Sequence, residues 1–275
     1  MPQLRRPDAV GAVALLALIA AACGGAGGAP TPALVPGPTA IAASTGSDAP
    51  PPRDLAGLAR RFRHALPPSQ VALPAYAAGD VEQFRVIMLP AESEEEPSRR
   101  TANATLRRVS DHAYLFVEDG ADVTDADLDG AVETFEEEVW PAVTGAFGEP
   151  ALGIDGDPRV AVLHADLGAA VAGYVSDEDA YPKEAAPDSN QREMVYMNLS
   201  VAPGSASYTN VLAHELQHVI HRHHDVDEET WVNEGLSEVA AGLAGGGQSF
   251  YNALLEAPDT QLNGWALLDS STAHY

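Results

Sequence analysis

Within Val211-Leu-Ala-His-Glu-Leu-Gln-His-Val-Ile220, the residues His214, Glu215 and His218 constrain this chain more than any other stretch. Leu212, Leu216, Val219 and Ile220 recur at helical spacing and give that helix a stripe to bury. Two imidazoles four residues apart lie one above the other on a helix, where they can share one metal ion. Glu215 sits one residue round, within reach of a water on that ion. Before the helix, Ala202-Pro-Gly-Ser-Ala-Ser-Tyr-Thr is breaker and cap chemistry, with Ser207 or Thr209 as the expected N-cap.

A hydrolytic zinc site takes three protein ligands and leaves a position to water. Downstream, Thr230-Trp-Val-Asn-Glu-Gly-Leu-Ser-Glu-Val-Ala240 reads as a second helix with Glu234 and Glu238 on one face. Glu234 is the natural third ligand. Glu238, one turn later, suits the free ring N–H of a ligand histidine. His224 competes at the spacing H-E-x-x-H-x-x-G-x-x-H. There, however, the glycine position holds His221, and the last methionine, Met197, precedes the helix. Glu234 is therefore preferred, and His221, His223 and His224 read as a solvated helix end.

With Trp-Val-Asn-Glu-Gly-Leu-Ser-Glu following His-Glu-Leu-Gln-His, the chain resembles the hyicolysin-type family of zinc metallopeptidases, within the glutamate-ligand zincins. Phe147-Gly-Glu-Pro, Ile154-Asp-Gly-Asp-Pro-Arg-Val-Ala-Val-Leu, Ala172-Gly-Tyr and Ser189-Asn-Gln-Arg-Glu-Met-Val-Tyr-Met-Asn198 extend the likeness over about residues 80 to 275. The resemblance implies His214, His218 and Glu234 as zinc ligands and Glu215 as catalytic base. Members of that family continue with further helices, so the zincin-like domain is expected to be incomplete at its C-terminus.

The expected chemistry is peptide hydrolysis of a polypeptide substrate, with Glu215 moving the proton of the attacking water. Tyr251, His274 and Tyr275 are candidate oxyanion helpers. Two other classes compete. A zinc aminopeptidase shares the W-x-N-E-G string, but this chain has no Gly-x-Met-Glu-Asn element for a substrate amine. A surface binding lipoprotein with structural zinc would need a fourth protein ligand.

Residues 1–22 read as a signal peptide: Arg5 and Arg6 precede an apolar run that is short for a membrane span and ends in small residues. Ile19-Ala-Ala-Ala-Cys23 resembles a bacterial lipoprotein box, and Cys23, the only cysteine, is the candidate lipidation site. The chain is thus expected outside the cytoplasm, as a lipid-anchored surface protein or a secreted one. Residues 23–52 are almost all Gly, Ala, Pro, Ser and Thr and are expected to be a disordered tether. Residues 53–70 form a short basic helix and linker, with Leu55, Leu58, Phe62 and Leu66 near helical spacing.

Strands are expected over 83–89, 101–107 and 112–118, as a small β-rich module (71–120) ahead of the catalytic domain (121–275). Residues 92–100 read as a solvated loop. Asp125-Ala-Asp-Leu-Asp-Gly-Ala-Val-Glu-Thr-Phe-Glu136 matches a calcium loop position for position. The same residues carry a helical stripe (Leu128, Val132, Phe135, Val139) behind a Thr124/Asp127 cap, and the helix is preferred. Residues 159–164 and 193–199 read as strands, and 167–190 as an irregular surface segment near the cleft. The 193–199 strand, or a neighbour, is expected to pair with extended substrate. Residues 249–255 are expected to resume the helix broken at 242–247. The predicted class is α+β. A formal net charge of −25 repels nucleic acid and excludes it as a partner.

Overall fold

The structure is a computed structural model that describes residues 54–64, 68–89, 97–225 and 228–245. The expected signal peptide and tether, Cys23, residues 249–255, Tyr251, His274 and Tyr275 lie outside these residues.

The described strands are β1 (Val81–Met88), β2 (Ser98–Val109), β3 (Ala113–Glu118), β4 (Val160–Ala165), β5 (Gly173–Tyr174) and β6 (Met194–Asn198). They form one mixed sheet in the order β1-β2-β3-β4-β6-β5. β1, β2 and β3 run antiparallel in turn, β3-β4 and β4-β6 are parallel, and β5 returns antiparallel to β6. The helices are α1 (Leu55–Leu58), α2 (Asp125–Thr134), α3 (Trp140–Phe147), α4 (Ala206–His221) and α5 (Thr230–Leu243).

The separate β module over 71–120 is corrected by this topology: β1, β2 and β3 belong to the same sheet as β4 and β6. The physical reason lies in β3. Ala-Tyr-Leu-Phe-Val is apolar on both faces and wholly buried. That run belongs to a central strand covered on both sides, not to the half-solvated strand of a small meander. Likewise the solvated loop expected over 92–100 ends earlier, because β2 starts at Ser98.

Side chains alternate across the sheet and divide the core in two. Ala113, Leu115 and Val117 of β3, with Val160, Val162, Val195 and Met197, face the helices. Tyr114 and Phe116, with Ala161, Leu163, Met194 and Tyr196, face the other way, against Phe84, Val86 and Leu106 of β1 and β2. The sheet curls around this second cluster and brings its two edges together. Arg85 N–H of β1 donates to Asn190 Oδ1 (2.9 Å), and Asn190 Nδ2 donates back to Arg85 O (2.9 Å). Ile87 N–H donates to the hydroxyl of Tyr174 in β5 (2.9 Å). Side chains therefore satisfy an edge that would otherwise be an open row of backbone groups.

This closure revises the reading of residues 167–190 as an irregular surface segment. Leu167, Asp179, Ser189 and Asn190 are buried, and the segment seals the curl. Asp179 is held by Asn190 N–H (2.5 Å) and Tyr196 O–H (2.6 Å); burial raises its pKa to about 6 against those bonds.

α2 starts with the expected capping box: Thr124 Oγ1 accepts from Asp127 N–H, and Asp127 accepts from Thr124 N–H. The Asp125–Glu136 segment is thus helical and does not wrap as a calcium loop. Asp125 pairs with Arg107 and Arg108, and Asp129 with Arg108. The chain passes from α2 to α3 through a π-helical stretch, Phe135–Val139. Pro141 explains it: its ring removes the N–H due to Glu137 and crowds the preceding turn. Phe135 and Val139 stay buried, so the rod keeps its apolar face.

Candidate metal centre

Ser205, not Ser207 or Thr209, caps α4; its side chain accepts from Tyr208 N–H (3.1 Å). Tyr208 is fully buried against His164, which fixes the first turn two residues before Ser207. Leu212, Leu216, Val219 and Ile220 pack into the core beneath the sheet. The opposite side of α4 presents His214 and His218 to α5. Ser237 of α5 donates to Gln217 Oε1 of α4 (2.6 Å), a buried bond that fixes how the two helices face each other.

Across that contact, His214, His218 and Glu234 converge, and their candidate ligand atoms all lie within 4.8 Å of one another. They are the one such group of three or more among the described residues. His224 is exposed beyond the helix end and is not part of it. His214 Nε2 lies 3.2 Å from Glu234 Oε2 and 3.2 Å from His218 Nε2. His218 Nε2 is 3.7 Å from Glu234 Oε1. A tetrahedral ion with bonds of about 2.0–2.1 Å has ligand–ligand edges of roughly 3.3–3.4 Å, so the spacing fits.

The outer ring nitrogens fix the tautomers. His214 Nδ1–H donates to Glu238 Oε1 (3.0 Å), which places Glu238 where its sequence position put it. His218 Nδ1–H donates to Asn233 Oδ1 (3.2 Å). Both Nε2 atoms are thereby turned inward as metal donors. Asn233 was missed as a partner in the sequence, although it adjoins Glu234. Without a metal the cage holds a proton instead. Burial opposes charge on His214, but hydrogen bonds to Glu234 and Glu238 raise its pKa to about 10. Burial likewise works against the Glu234 carboxylate, and the two histidines lower its pKa to about 2. A cluster that favours a proton in this way suits positive charge, and a divalent ion could take that proton's place.

Glu215 lines a cleft of about 210 Å³ together with His214, Glu238, Val171, Ala172, Gly173 and Val211, among others. Burial raises its carboxyl pKa, against the pull of His214 and His218. A carboxylate with raised basicity beside an inward-facing metal cage is suited to take a proton from water.

One wall of this cleft is the sheet edge at β5. It approaches α4 so closely that a Cβ at Gly173 would lie 2.7 Å from Val211 Cγ1 and 2.8 Å from Tyr196 O. The backbone oxygen cannot yield without moving β6. Gly173→Ala is expected to cost about 1–3 kcal/mol, read as a lower midpoint in chemical denaturation. Of the two strands considered for the edge, 193–199 or a neighbour, the first is interior as β6 and its neighbour β5 is the edge.

The helix end after His218 is less solvated than its composition suggested. The Arg222 side chain is 10% exposed and paired with Glu193, itself 2% exposed. His223 Nε2 lies 3.2 Å from Glu193 Oε1. The string His221-Arg-His-His carries no local signal for this, because Glu193 reaches it from the start of β6.

Comparison with protein-family models and with curated proteins finds no match for this sequence.

Removing the Glu238 charge, although a glutamine oxygen can still accept from His214 Nδ1–H, should weaken a metal's hold without removing a ligand. Glu238→Gln is expected to weaken zinc binding about 10–100-fold, measured by competition with a chromophoric chelator.

Proposed function

We propose that the protein is a zinc-dependent peptidase of the glutamate-ligand zincin type, similar to the hyicolysin family. The observation that carries this reading is the joint orientation of His214, His218 and Glu234, with both outer ring nitrogens already engaged and Glu215 on the cleft beside them. His214 and His218 through Nε2, with Glu234 through a carboxylate oxygen, would hold the ion. When bound, zinc supplies the Lewis acidity that makes water a nucleophile near neutral pH. Glu215 accepts the proton that the attacking water gives up, and returns it to the departing amine nitrogen as the C–N bond breaks. The edge at Val171–Gly173 offers an extended substrate a strand to lie beside, which favours cleavage within a chain over an aminopeptidase role. The N-terminal sequence supports export and a lipid anchor at Cys23.

The test is casein digestion by the zinc-loaded protein with and without a chelator. Chelator-sensitive cleavage is expected, and zinc-loaded protein that cuts nothing contradicts the reading. The proton held by the cage adds a pH signature. His214 must lose its proton to bind metal, and Glu234 is already ionised above about pH 4. Zinc affinity should therefore rise about tenfold per pH unit from pH 7 toward 9, with one proton released per ion in that range, as read by calorimetry in two buffers.

A further inference from the structure

Among the described residues, every arginine from Arg85 to Arg222 has a carboxylate within ion-pair distance. The first helix departs from that pattern. α1 runs on into a π-helical turn, Ala59–Arg63, that carries Arg60, Arg61 and Arg63. Arg61 and Arg63 have no such partner among the described residues, and Arg60 reaches only the exposed Asp54, at 4.0 Å. Unmatched positive charge is thus gathered in one turn of a chain whose net charge is −25.

The same turn shows apolar surface. Leu58 is 47% exposed, and Phe62, at 65%, is the most exposed large hydrophobic side chain described. The Arg61 guanidinium lies 5.2 Å from the centre of the Phe62 ring. The turn is nevertheless fixed to the body: Ala59 is buried, and Arg63 Nη1 donates to Ala185 O (3.1 Å). The carboxylates Asp177, Asp225 and Glu228 share a cavity of about 320 Å³ with Arg222 and with Leu55, which is at the other end of the helix from Arg63. Arginines held around a projecting aromatic ring match a surface that offers phosphate groups above hydrocarbon. A soluble polyanion would satisfy the arginines but leave Leu58 and Phe62 in water.

We infer that this turn is a contact for an anionic lipid bilayer. Leu58 and the Phe62 ring enter the headgroup boundary, and the guanidiniums of Arg60 and Arg61 meet lipid phosphates. Cys23, the candidate lipidation site, precedes Asp54 by about thirty residues, and a tether of that length keeps the turn near the membrane despite the acidic body. The contact then holds the anchored body in one orientation. That consequence rests on the lipid reading of Cys23; the contact itself does not, and it is measurable on protein without lipid.

The experiment is vesicle co-sedimentation of residues 23–275 with Cys23→Ser, a chain that carries every described residue and no lipid. Vesicles of equimolar phosphatidylglycerol and phosphatidylcholine are compared with phosphatidylcholine alone at low ionic strength. The anionic vesicles are expected to bind about tenfold more tightly, with the excess falling as salt is raised. Arg60→Gln/Arg61→Gln should weaken that binding about tenfold, and Phe62→Ser about fivefold. All three side chains are exposed, so the fold should be unaffected, and circular dichroism checks that it is. Equal binding to both vesicles, no binding to either, or a variant that binds as well as the parent overturns the contact. Loss with the arginine pair but not with Phe62→Ser would assign the turn to a soluble polyanion instead.

Discussion

Glu215→Gln is expected to keep a full equivalent of zinc and to lose peptide hydrolysis by a factor of about 10²–10⁴. The two outcomes separate because Glu215 is not one of the three cage residues: it lines the neighbouring cleft. Glutamine has nearly the same shape, so the buried position should tolerate it. The amide is not basic, however, and cannot take a proton from water. Removing a carboxylate whose charged form is disfavoured by burial should not destabilise the fold. Turnover at the original rate would remove Glu215 from the mechanism. Loss of zinc together with activity would mean that the residue supports the cage instead.

Glu234→Ala should have the opposite profile, because it removes a ligand outright. Two imidazoles 3.2 Å apart would remain, with no anion to complete the set. Zinc affinity should fall by more than the roughly 10–100-fold typical of losing an outer partner, and activity should fall with it. The metal-free protein should change too. Glu234 and Glu238 together hold the proton on His214, so the variant should lower that histidine's pKa from about 10, visible in its ring proton shifts. A variant that binds zinc as tightly as the parent would exclude Glu234 from the cage.

The candidate metal cluster was largely legible in the sequence because its geometry is local. Spacings of four residues put His214 over His218 and Glu234 near Glu238, whatever the rest of the chain does. The Thr124/Asp127 cap was legible for the same reason and decided helix over calcium loop. Strands β3, β4 and β6 announced themselves as apolar runs. What was hidden depends on distance along the chain. That β1, β2 and β3 share a sheet with β4 is a pairing choice across the whole of α2 and α3. The closure of the curl by Asn190 against Arg85 joins residues over a hundred positions apart. Neither leaves a periodic trace. Nor does the pairing of Arg222 with Glu193, which turned an expected solvated helix end into the wall of a cavity.

The most direct test of the whole account is zinc stoichiometry by atomic emission, after loading and desalting, for the parent chain beside His214→Ala/His218→Ala. One equivalent in the parent and close to none in the double variant is the predicted result. Equal zinc in both, or none in the parent, would contradict the claim that these helices were brought together to hold a metal.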